Sequence, residues 1–490
     1  MQTTLTREAP PLPALAVRDP VRVDRLARLF CWLGPAVVTA FVVAYRAAEP
    51  QLWRDELATW SAATRTVPQI FALGRHIDGV TVPYYLLEHL AVGLFGDSAL
   101  ALRLPSLLAA TATAAVTGLL ARRLWGARAA VLAGLLVSAM PVVSRYGQEA
   151  RGYVFAALFA VVSTLLLLRA LELPRWRRWL AYGAGVLALG WSHQVALLLL
   201  LGHAVAVVTT DWRLLRRWLP AVTLAAGGVL PFFVLGLEQH DRQLNWLFAA
   251  EPADLATVAQ TIFLSGVLGG AVCALAVTAV RTRTEAALFL SALLPVLALY
   301  AVDQLITPVF VGRYLFFVVP LLCALAGQAL ARSGLLLGPA IVVVLALIGL
   351  PVQDDIRRSH SPFDYRQAAQ VIEANARPGD GIVYAPRWGW QFTDIAMRYY
   401  LGEAVPRDVL LKDDEVASAS LWATECADAA VCLRGAERVW TVSADNLETG
   451  RRAGVTDQLT PAERAALAAS YHQVLQTRLE GFTIALYIHR

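Results

Sequence analysis

Long apolar runs follow one another between residues 29 and 350, and short polar stretches separate them. A helix needs about 20 apolar residues to cross the hydrocarbon core of a membrane, and roughly 17 to 25 are tolerated. The runs that approach this length predict membrane-spanning helices at 29–45, 104–121, 129–143, 154–171, 219–237, 258–280, 286–302, 315–331 and 335–350.

The stretch 180–208 is longer than one ordinary span and carries His193 and Gln194 near its middle. Loops rich in arginine stay in the cytoplasm, and both flanks of this stretch are such loops. An even number of crossings is then required, so we predict two short helices that meet at His193 and Gln194 on the outer side. The chain thus has about eleven spans. The flanking arginines are Arg175, Arg177, Arg178, Arg213, Arg216 and Arg217.

The polar segment 1–28 lacks the apolar stretch of a cleavable signal peptide and ends in a basic cluster before the first span. It predicts a retained signal anchor with a cytoplasmic N-terminus. The first outer loop, 46–98, contains two apolar runs at 67–77 and 82–95 that are too short to span. Runs of this length are typical of helices that lie in the membrane interface.

The last part of the chain, 352–490, has the composition of a soluble protein and alternates helix and strand patterns. The fold class is therefore an α-helical polytopic membrane protein with a C-terminal extracytoplasmic α/β domain. We predict a cytoplasmic segment 1–28, a transmembrane domain 29–351 and a soluble domain 352–490. The predicted elements of the soluble domain are helices at 364–376, 392–401 and 461–476 and strands at 381–386, 437–443 and 482–489.

Composition agrees with this division, because 57% of the residues are hydrophobic and only 16% are charged. The net charge of +5 comes from arginines between apolar runs, so it indicates membrane topology and not nucleic-acid binding. Cys31, Cys273 and Cys323 lie in spans and are expected to pack. Cys426 and Cys432 lie in the outer domain, where an oxidising compartment predicts a disulfide; two free thiols are the alternative.

Four groups of polar residues stand where predicted spans end, all on the outer side. Carboxylates and arginines at one depth could bind an anionic, lipid-linked substrate, because arginine offers a planar donor fork for phosphate. A carboxylate could take the proton of an attacking hydroxyl. The groups are Trp53-Arg54-Asp55-Glu56; Arg145, Gln148, Glu149 and Arg151 within 144–153; His193-Gln194; and Arg313-Tyr314.

Each group also has a purely structural interpretation. Asp55 could cap the helix that follows and pair with Arg54. The residues of 144–153 could form a solvated loop with local ion pairs. His193 could be a hydrogen-bonded structural residue, and Arg313 could extend to the interface. The pattern alone leaves these alternatives open.

Several segments together resemble a known family. The runs LWRDELATWSAATRTVPQI, PYYLLEHLAVGLFGDSALALRLPSLL, SRYGQEARGY and VGRYLFFVVP are similar to bacterial family 39-like glycosyltransferases of the GT-C superfold. These enzymes depend on polyprenyl-phosphate sugars. The sequence looks most like actinobacterial integral membrane mannosyltransferases, and DYRQAAQVIEANARPGD resembles the start of their outer α/β domain.

The resemblance implies an inverting transfer on the extracytoplasmic face of the cytoplasmic (inner) membrane. The donor would be a polyprenyl-phosphate sugar, and the acceptor a hydroxyl on lipid, glycan or protein. The catalytic base of the family falls on Asp55, with Glu56 adjacent, and its second-loop carboxylate falls on Glu149. Many relatives use a divalent cation such as Mg²⁺ or Mn²⁺. Glu149, His193 and His76 are the candidate ligands here, without forming an obvious cluster.

Mannose is the sugar that the resemblance favours, with arabinofuranose and aminoarabinose open. The rival class is a lipid or small-molecule transporter or flippase. Transporters place polar groups near the membrane midplane at broken helices. The predicted carboxylates of this chain lie at the outer rim, which favours an enzyme.

Overall fold

The structure is a computed structural model that describes residues 20–243, 247–446 and 450–490. Most of the predicted cytoplasmic segment, 1–28, therefore lies outside the described residues. Helices account for nearly all of the chain up to residue 358. In chain order they are α1 (Pro20–Ala44), α2 (Arg54–Ala63), α3 (Val67–His76), α4 (Val82–Phe95), α5 (Ala99–Trp125), α6 (Ala127–Ala139), α7 (Pro141–Gly147), α8 (Tyr153–Glu172), α9 (Trp176–Ser192), α10 (Leu199–Asp211), α11 (Leu215–Gln243), α12 (Pro252–Ala256), α13 (Val258–Phe263), α14 (Gly266–Ala279), α15 (Arg283–Leu305), α16 (Val319–Arg332) and α17 (Leu337–Arg358).

Local sequence explains several helix ends. The side chain of Ser98 accepts a hydrogen bond from the Ala101 N–H and caps the start of α5. Gly126, which has a φ of 94°, follows the last residue of this helix. Thr282 and Glu285 form a reciprocal capping box at the start of α15. These caps satisfy backbone groups that would otherwise be exposed where the apolar runs stop.

Six helical segments among the described residues are long and apolar enough to cross a membrane, or seven if the pair α6 and α7, bent by 66°, forms one span. One of the six runs from Gln194 to Gln243 and contains both α10 and α11. A helix lies over each of the spans predicted from sequence, including the shorter α1, α9 and α14. The protein is thus a multi-pass helical membrane protein, and the number of crossings and their orientation stay predictions.

Small residues let the spanning helices approach closely. A Cβ on Gly327 of α16 would lie 2.5 Å from the backbone nitrogen of Ala133 in α6, and one on Gly134 would lie 2.5 Å from the Cβ of Pro35 in α1. Membrane helices associate through such close van der Waals contacts, because lipid offers no hydrophobic driving force. The glycines therefore hold α1, α6 and α16 as one packed unit.

The segment between α1 and α5 forms three helices, α2, α3 and α4. The last two match the predicted interfacial helices closely. Arg65, 3% exposed, anchors this segment to the C-terminal domain by donating a hydrogen bond of 2.6 Å to the Ser420 carbonyl. The N–H of Leu52 donates to the Tyr400 hydroxyl at 2.8 Å. One hydrophobic core is shared across the contact and includes Leu57 and Phe482.

The C-terminal domain follows α17, which continues past the predicted boundary at 352 to Arg358. Its five-stranded sheet has the order β2-β1-β5-β7-β6, with β2, β1 and β5 parallel and β7 and β6 antiparallel. A two-stranded sheet pairs β3 with β4. The elements are α18 (Tyr365–Asn375), β1 (Gly381–Ala385), α19 (Thr393–Leu401), β2 (Arg407–Asp408), β3 (Leu411–Asp413), β4 (Thr424–Glu425), α20 (Ala429–Cys432), β5 (Arg438–Ala444), α21 (Pro461–Ser470), β6 (Tyr471–Leu479) and β7 (Phe482–His489).

One predicted element of this domain is too long. The helix predicted at 461–476 ends at Ser470, and β6 begins at Tyr471. This edge strand exposes residues on both faces, so it lacks the alternation that identifies a strand in sequence. Its pairing with β7 along nearly its whole length overrides the local pattern. The predicted disulfide between Cys426 and Cys432 is present.

A buried charge cluster fixes the loop between β1 and α19. The guanidinium of Arg387, whose side chain is 2% exposed, donates hydrogen bonds to Asp394 at 3.3 Å, Asp408 at 2.8 Å and Glu425 at 2.9 Å. We refer to these four residues as the Arg387 cluster. It ties the ends of β2 and β4 to the start of α19.

Candidate active site

The four polar groups predicted from sequence come together in the structure. Ring contacts join three of them: the ring centroids of Tyr153 and His193 are 5.5 Å apart, and those of His193 and Tyr314 are 4.8 Å apart. The Arg145 guanidinium lies 5.1 Å from the centroid of Trp53, which brings in the first group. His193 lies at the break between α9 and the short helical turn that begins at Gln194, as predicted.

Glu56 is fully buried, and both of its carboxylate oxygens accept hydrogen bonds from the protein. Its Oε1 accepts hydrogen bonds from Nε of Arg103 at 2.8 Å and from the Ala150 N–H at 3.1 Å. Its Oε2 accepts from Nη2 of Arg103 at 2.7 Å and from the Trp53 N–H at 3.4 Å. Burial alone would raise the pKa of Glu56, but the Arg103 guanidinium holds it well below its usual range. The acceptor positions of this carboxylate are therefore taken by the protein itself.

Arg103 was not among the residues singled out from sequence. It is a lone charge near the start of a spanning helix, which is an expensive placement and usually means a specific partner. Besides Glu56, it donates to the carbonyls of Ala47 at 2.8 Å and Pro50 at 2.9 Å. It thus fixes both the chain after α1 and the start of α2.

Asp55, next to Glu56, is in a different environment. Its side chain is 17% exposed, and among the described residues its ion pair is with Nε of Arg54 at 3.6 Å. The N-cap of α2 is Trp53, so Asp55 does not cap that helix. Burial alone would lower the pKa of Arg151, but Asp55 is the strongest of the opposing charges and helps raise it well above its usual range. A half-buried carboxylate therefore lies near a half-buried guanidinium.

Glu149, which is buried, and Arg145, which is half-buried, form a loose ion pair. Nη2 of Arg145 is 3.4 Å from Oε2 of Glu149, and neither carboxylate oxygen has a hydrogen-bond partner among the described residues. Nη1 of Arg145 and Oε1 of Gln148 also lack partners within that part of the chain. Burial raises the pKa of Glu149 to about 7; Arg145 opposes this, and Glu56 and Asp55 add to it. Unsatisfied buried groups are rare in proteins and concentrate where ligands bind.

Arg151 lies near a further carboxylate, that of Asp78, which is half-buried. Its Nη1 is 3.5 Å from the Tyr85 hydroxyl, which donates to Asp78. Nε2 of Gln243 donates to the other oxygen of Asp78 at 2.7 Å. Burial raises the pKa of Asp78, while Arg151 opposes the rise and Asp55 adds to it. Tyr85 and Asp78 were not predicted, because nothing in the local pattern distinguishes them from helix-end residues.

Arg313 and His360 are two further charged or titratable residues near these carboxylates. The guanidinium of Arg313 lies 5.6 Å from the Tyr314 ring centroid, and its charge acts on the pKa of Glu149. Nδ1 of His360 is 3.8 Å from Oε2 of Glu56, and burial lowers the pKa of His360 to about 4. His360 was also missed, since it follows α17 at the predicted domain boundary. We refer to Asp55, Arg145, Glu149, Arg151 and Arg313 as the loop cluster.

The metal ligands suggested by sequence are not gathered into one site. Within residues 20–243, 247–446 and 450–490, no group of three or more His, Cys, Asp and Glu side chains could hold a metal ion. His76 is exposed and lines a separate cleft. His193 contacts aromatic rings, and Glu149 pairs with Arg145. These residues do not fit a three-ligand cation site.

The described part of the chain has the fold of a polytopic membrane protein of the GT-C type. A family model described as dolichyl-phosphate-mannose-protein mannosyltransferase matches residues 80–236. Comparison with curated protein sequences finds no match. The resemblance to GT-C glycosyltransferases is thus confirmed by the family match and by the fold. Its narrower form, closeness to actinobacterial mannosyltransferases, stays a prediction.

Solved structures share this fold at low sequence identity. ArnT from Cupriavidus metallidurans bound to undecaprenyl phosphate is 16% identical with a TM-score of 0.62, and the match covers 96% of this chain and 98% of that one. The oligosaccharyltransferase AglB from Archaeoglobus fulgidus, in complex with an inhibitory peptide and a dolichol-phosphate, is 10% identical with a TM-score of 0.50 and coverages of 95% and 74%. An oligosaccharyltransferase structure from the same archaeon with Zn and sulfate has 12% identity, a TM-score of 0.49 and coverages of 92% and 72%.

Proposed function

We propose that this protein is an inverting glycosyltransferase that moves a sugar from a polyprenyl-phosphate donor to an acceptor hydroxyl. Mannose is the proposed sugar, and the acceptor is a lipid, glycan or protein. The match of residues 80–236 to a mannosyltransferase family model supports the sugar class. The undecaprenyl phosphate bound to ArnT and the dolichol-phosphate bound to AglB support the donor class.

One observation carries the proposal: a weakly paired carboxylate, Asp55, whose side chain is 17% exposed, lies near the half-buried arginines of the loop cluster. In the proposed reaction, the acceptor oxygen attacks the anomeric carbon from the face opposite the phosphate. The bond between that carbon and the phosphate oxygen breaks, and the acceptor proton passes to Asp55. The products are the glycosylated acceptor, whose new glycosidic bond has the inverted configuration, and a polyprenyl phosphate.

The arginines of the loop cluster supply the charge that the leaving phosphate needs. Arg145, Arg151 and Arg313 each carry a planar donor fork that can hold phosphate oxygens. The loose contact of 3.4 Å between Arg145 and Glu149 leaves Nη1 of Arg145 available for such a bond. Positive charge placed before the reaction stabilises the developing anion without reorganisation.

Glu56 takes a positioning role in this proposal and does not act as a base. Its oxygens accept hydrogen bonds from Arg103 and from two backbone N–H groups, so no acceptor position is left for a substrate hydroxyl. The Glu56–Arg103 pair sets the first turn of α2 and thereby the position of Asp55. The step is assigned to these side chains, and none of it is assigned to a metal, because the candidate ligands among the described residues do not form one site.

The proposed location is the cytoplasmic (inner) membrane, with the N-terminus in the cytoplasm and the soluble domain, 352–490, outside. The arginine-rich loops between apolar runs support this orientation. The disulfide between Cys426 and Cys432 supports an oxidising compartment for the C-terminal domain.

The test uses purified protein in nanodiscs with synthetic polyprenyl-phosphate mannose and a panel of lipid, oligosaccharide and peptide acceptors. We expect release of polyprenyl phosphate together with a product whose anomeric configuration, read by NMR, is inverted. If the protein were instead a transporter or flippase, labelled donor would move between the leaflets of a proteoliposome with its sugar–phosphate bond intact. Lipid movement without bond cleavage would overturn the enzyme proposal.

A further inference from the structure

A cleft of about 850 Å³ opens between the C-terminal domain and the helices below it. Its volume is within the range of about 300–1,000 Å³ that is typical of ligand pockets. One wall belongs to the membrane region and the other to the C-terminal domain. The lining residues are His76, Ile77, Asp241, Arg242, Trp388, Trp390, Ser418, Ser420 and Trp422.

The wall from the C-terminal domain is built from tryptophan. Trp388 is 67% exposed, although a large apolar ring is normally at least partly buried. Trp390 and Trp422 meet edge to face with centroids 4.9 Å apart. Nε1 of Trp422 donates to the Gly389 carbonyl at 3.1 Å, which fixes the short segment that carries the other two rings. The rings therefore form a platform whose supporting members are held in place.

The rim of the cleft is polar but nearly neutral. Asp241 offsets Arg242, and His76 is the third titratable group among the lining residues. Oγ of Ser418 is buried without a hydrogen-bond partner in the described chain. A strongly anionic or cationic ligand would find no excess of opposite charge here. A neutral ligand with many hydroxyl groups and a flat apolar face would match both the rings and the rim.

The cleft adjoins the loop cluster through two short segments. Ile77 is followed directly by Asp78, and Arg242 is followed by Gln243, which donates a hydrogen bond to Asp78. Asp78 is close enough to Arg151 and Asp55 for both charges to act on its pKa. A ligand held in the cleft would therefore reach toward the proposed base.

We propose that this cleft is an acceptor subsite that binds the neutral carbohydrate part of a glycan acceptor, with sugar rings stacked on Trp388 and Trp390. The C–H groups on one face of a pyranose are slightly positive and are attracted to the negative face of an indole ring. Large rigid aromatic rings also bind at low cost in conformational entropy. The proposal deepens the proposed function, because it names the class of acceptor.

The test measures direct binding without donor, so it does not depend on catalysis. Mannotetraose is titrated into wild-type protein, Trp388→Ala and Trp390→Phe, and tryptophan fluorescence and calorimetry are followed. Trp212, 66% exposed in another part of the molecule, provides the matched control Trp212→Ala. We expect Trp388→Ala to weaken binding about tenfold, since aromatic contacts contribute up to about 1.5 kcal/mol beyond buried area. Trp390→Phe keeps a ring and should weaken it less.

Equal affinity of wild type and Trp388→Ala for mannotetraose would overturn the proposal. So would tighter binding of an acidic tetrapeptide than of the tetrasaccharide, because the occupant would then be a different class of ligand. Asp55→Asn separates the two proposals: it should bind mannotetraose like wild type. If that variant also transferred sugar normally while Trp388→Ala lost oligosaccharide binding, the catalytic assignment would fail and the subsite would stand.

Discussion

The Arg387 cluster and the loop cluster have opposite compositions. In the Arg387 cluster, one arginine donates hydrogen bonds to three carboxylates at 2.8–3.3 Å. In the loop cluster, three arginines surround Asp55 and Glu149, and neither oxygen of Glu149 is hydrogen-bonded within the described residues. The first cluster is complete in itself and holds loops together. In the second, Nη1 of Arg145 has no hydrogen-bond partner among the described residues, so this donor is available to a phosphate oxygen.

The largest loss of stability is expected when the fully hydrogen-bonded ion pair between Glu56 and Arg103 is broken. Arg103→Ala leaves Glu56 charged and fully buried, and breaking a buried pair typically costs about 3–5 kcal/mol. We expect little folded protein by fluorescence-detected size exclusion. Adding Glu56→Gln removes the stranded charge and should restore part of the yield. A wild-type yield and melting temperature for Arg103→Ala alone would show that the pair does not set the start of α2.

Breaking the Arg387 cluster tests whether this cluster stabilises the C-terminal domain without taking part in donor binding. Arg387→Ala strands three carboxylates and should lower the stability of the C-terminal domain by about 3–5 kcal/mol. The protein that remains folded should bind the polyprenyl-phosphate donor with unchanged affinity. Exposed Arg377 gives the control Arg377→Ala, expected to change neither property. Weaker donor binding by folded Arg387→Ala would contradict the division of roles.

The fold class could be predicted because membrane spans are long and apolar, and because clusters of arginine separate them. The break at His193 and Gln194 followed from the same rule of charges. By contrast, the extent of β6 could not be predicted, because pairing with β7 across the sheet determines it. Strand pairing is a tertiary contact, and local patterns carry little information about it.

The site was predictable only in part, for a related reason. Asp55, Glu149 and the arginines stand at span ends, where a polar residue is conspicuous in sequence. The different surroundings of Asp55 and Glu56 depend on Arg103, which lies 47 residues further along the chain than Glu56. No pattern of spacing reveals which of two adjacent carboxylates will meet that guanidinium. His360 joins the same environment from the far end of the membrane region.

Substitutions within the loop cluster should weaken donor use without unfolding the protein. Arg313→Lys and Arg151→Lys keep the charge but lose the bidentate fork, and the alanine variants lose both. Charge-assisted hydrogen bonds contribute about 1.5–3 kcal/mol, so donor affinity should fall roughly tenfold to a hundredfold. Calorimetry with a synthetic donor, with Arg377→Ala as control, measures this. Normal transfer by both alanine variants would remove these arginines from the site.

We expect Glu149 to have a smaller effect, which is a pH dependence of kcat/KM for the donor. Burial raises its pKa from 4.5 to about 7, so the side chain is neutral below pH 7 and becomes an anion beside Arg145 above it. The anion competes with phosphate for Arg145, so kcat/KM for the donor should fall above about pH 7, by at most about tenfold per pH unit. Glu149→Gln should flatten this profile. An identical pH profile for wild type and variant would rule out the competition.

The raised pKa of Glu149 also makes the thermal stability of the protein depend on pH. A carboxyl group whose pKa is raised in the folded state favours folding below its unfolded pKa, and this contribution is lost as the pH rises through the folded value. Wild-type protein should therefore lose thermal stability between about pH 4.5 and pH 7 relative to Glu149→Gln. If wild type and Glu149→Gln had equal melting temperatures at pH 5 and again at pH 8, the raised pKa of Glu149 would be contradicted.

The central claim is that Asp55 takes the acceptor proton, and one measurement tests it directly. Asp55→Asn is nearly isosteric and keeps the first turn of α2, which Trp53 caps. Sugar transfer from a synthetic polyprenyl-phosphate donor is compared for wild type, Asp55→Asn and the control Asp355→Asn, an exposed aspartate at the end of α17. We predict a loss of about 10²–10⁴-fold in rate for Asp55→Asn, with donor binding and melting temperature preserved. Transfer by Asp55→Asn at the wild-type rate would contradict the account.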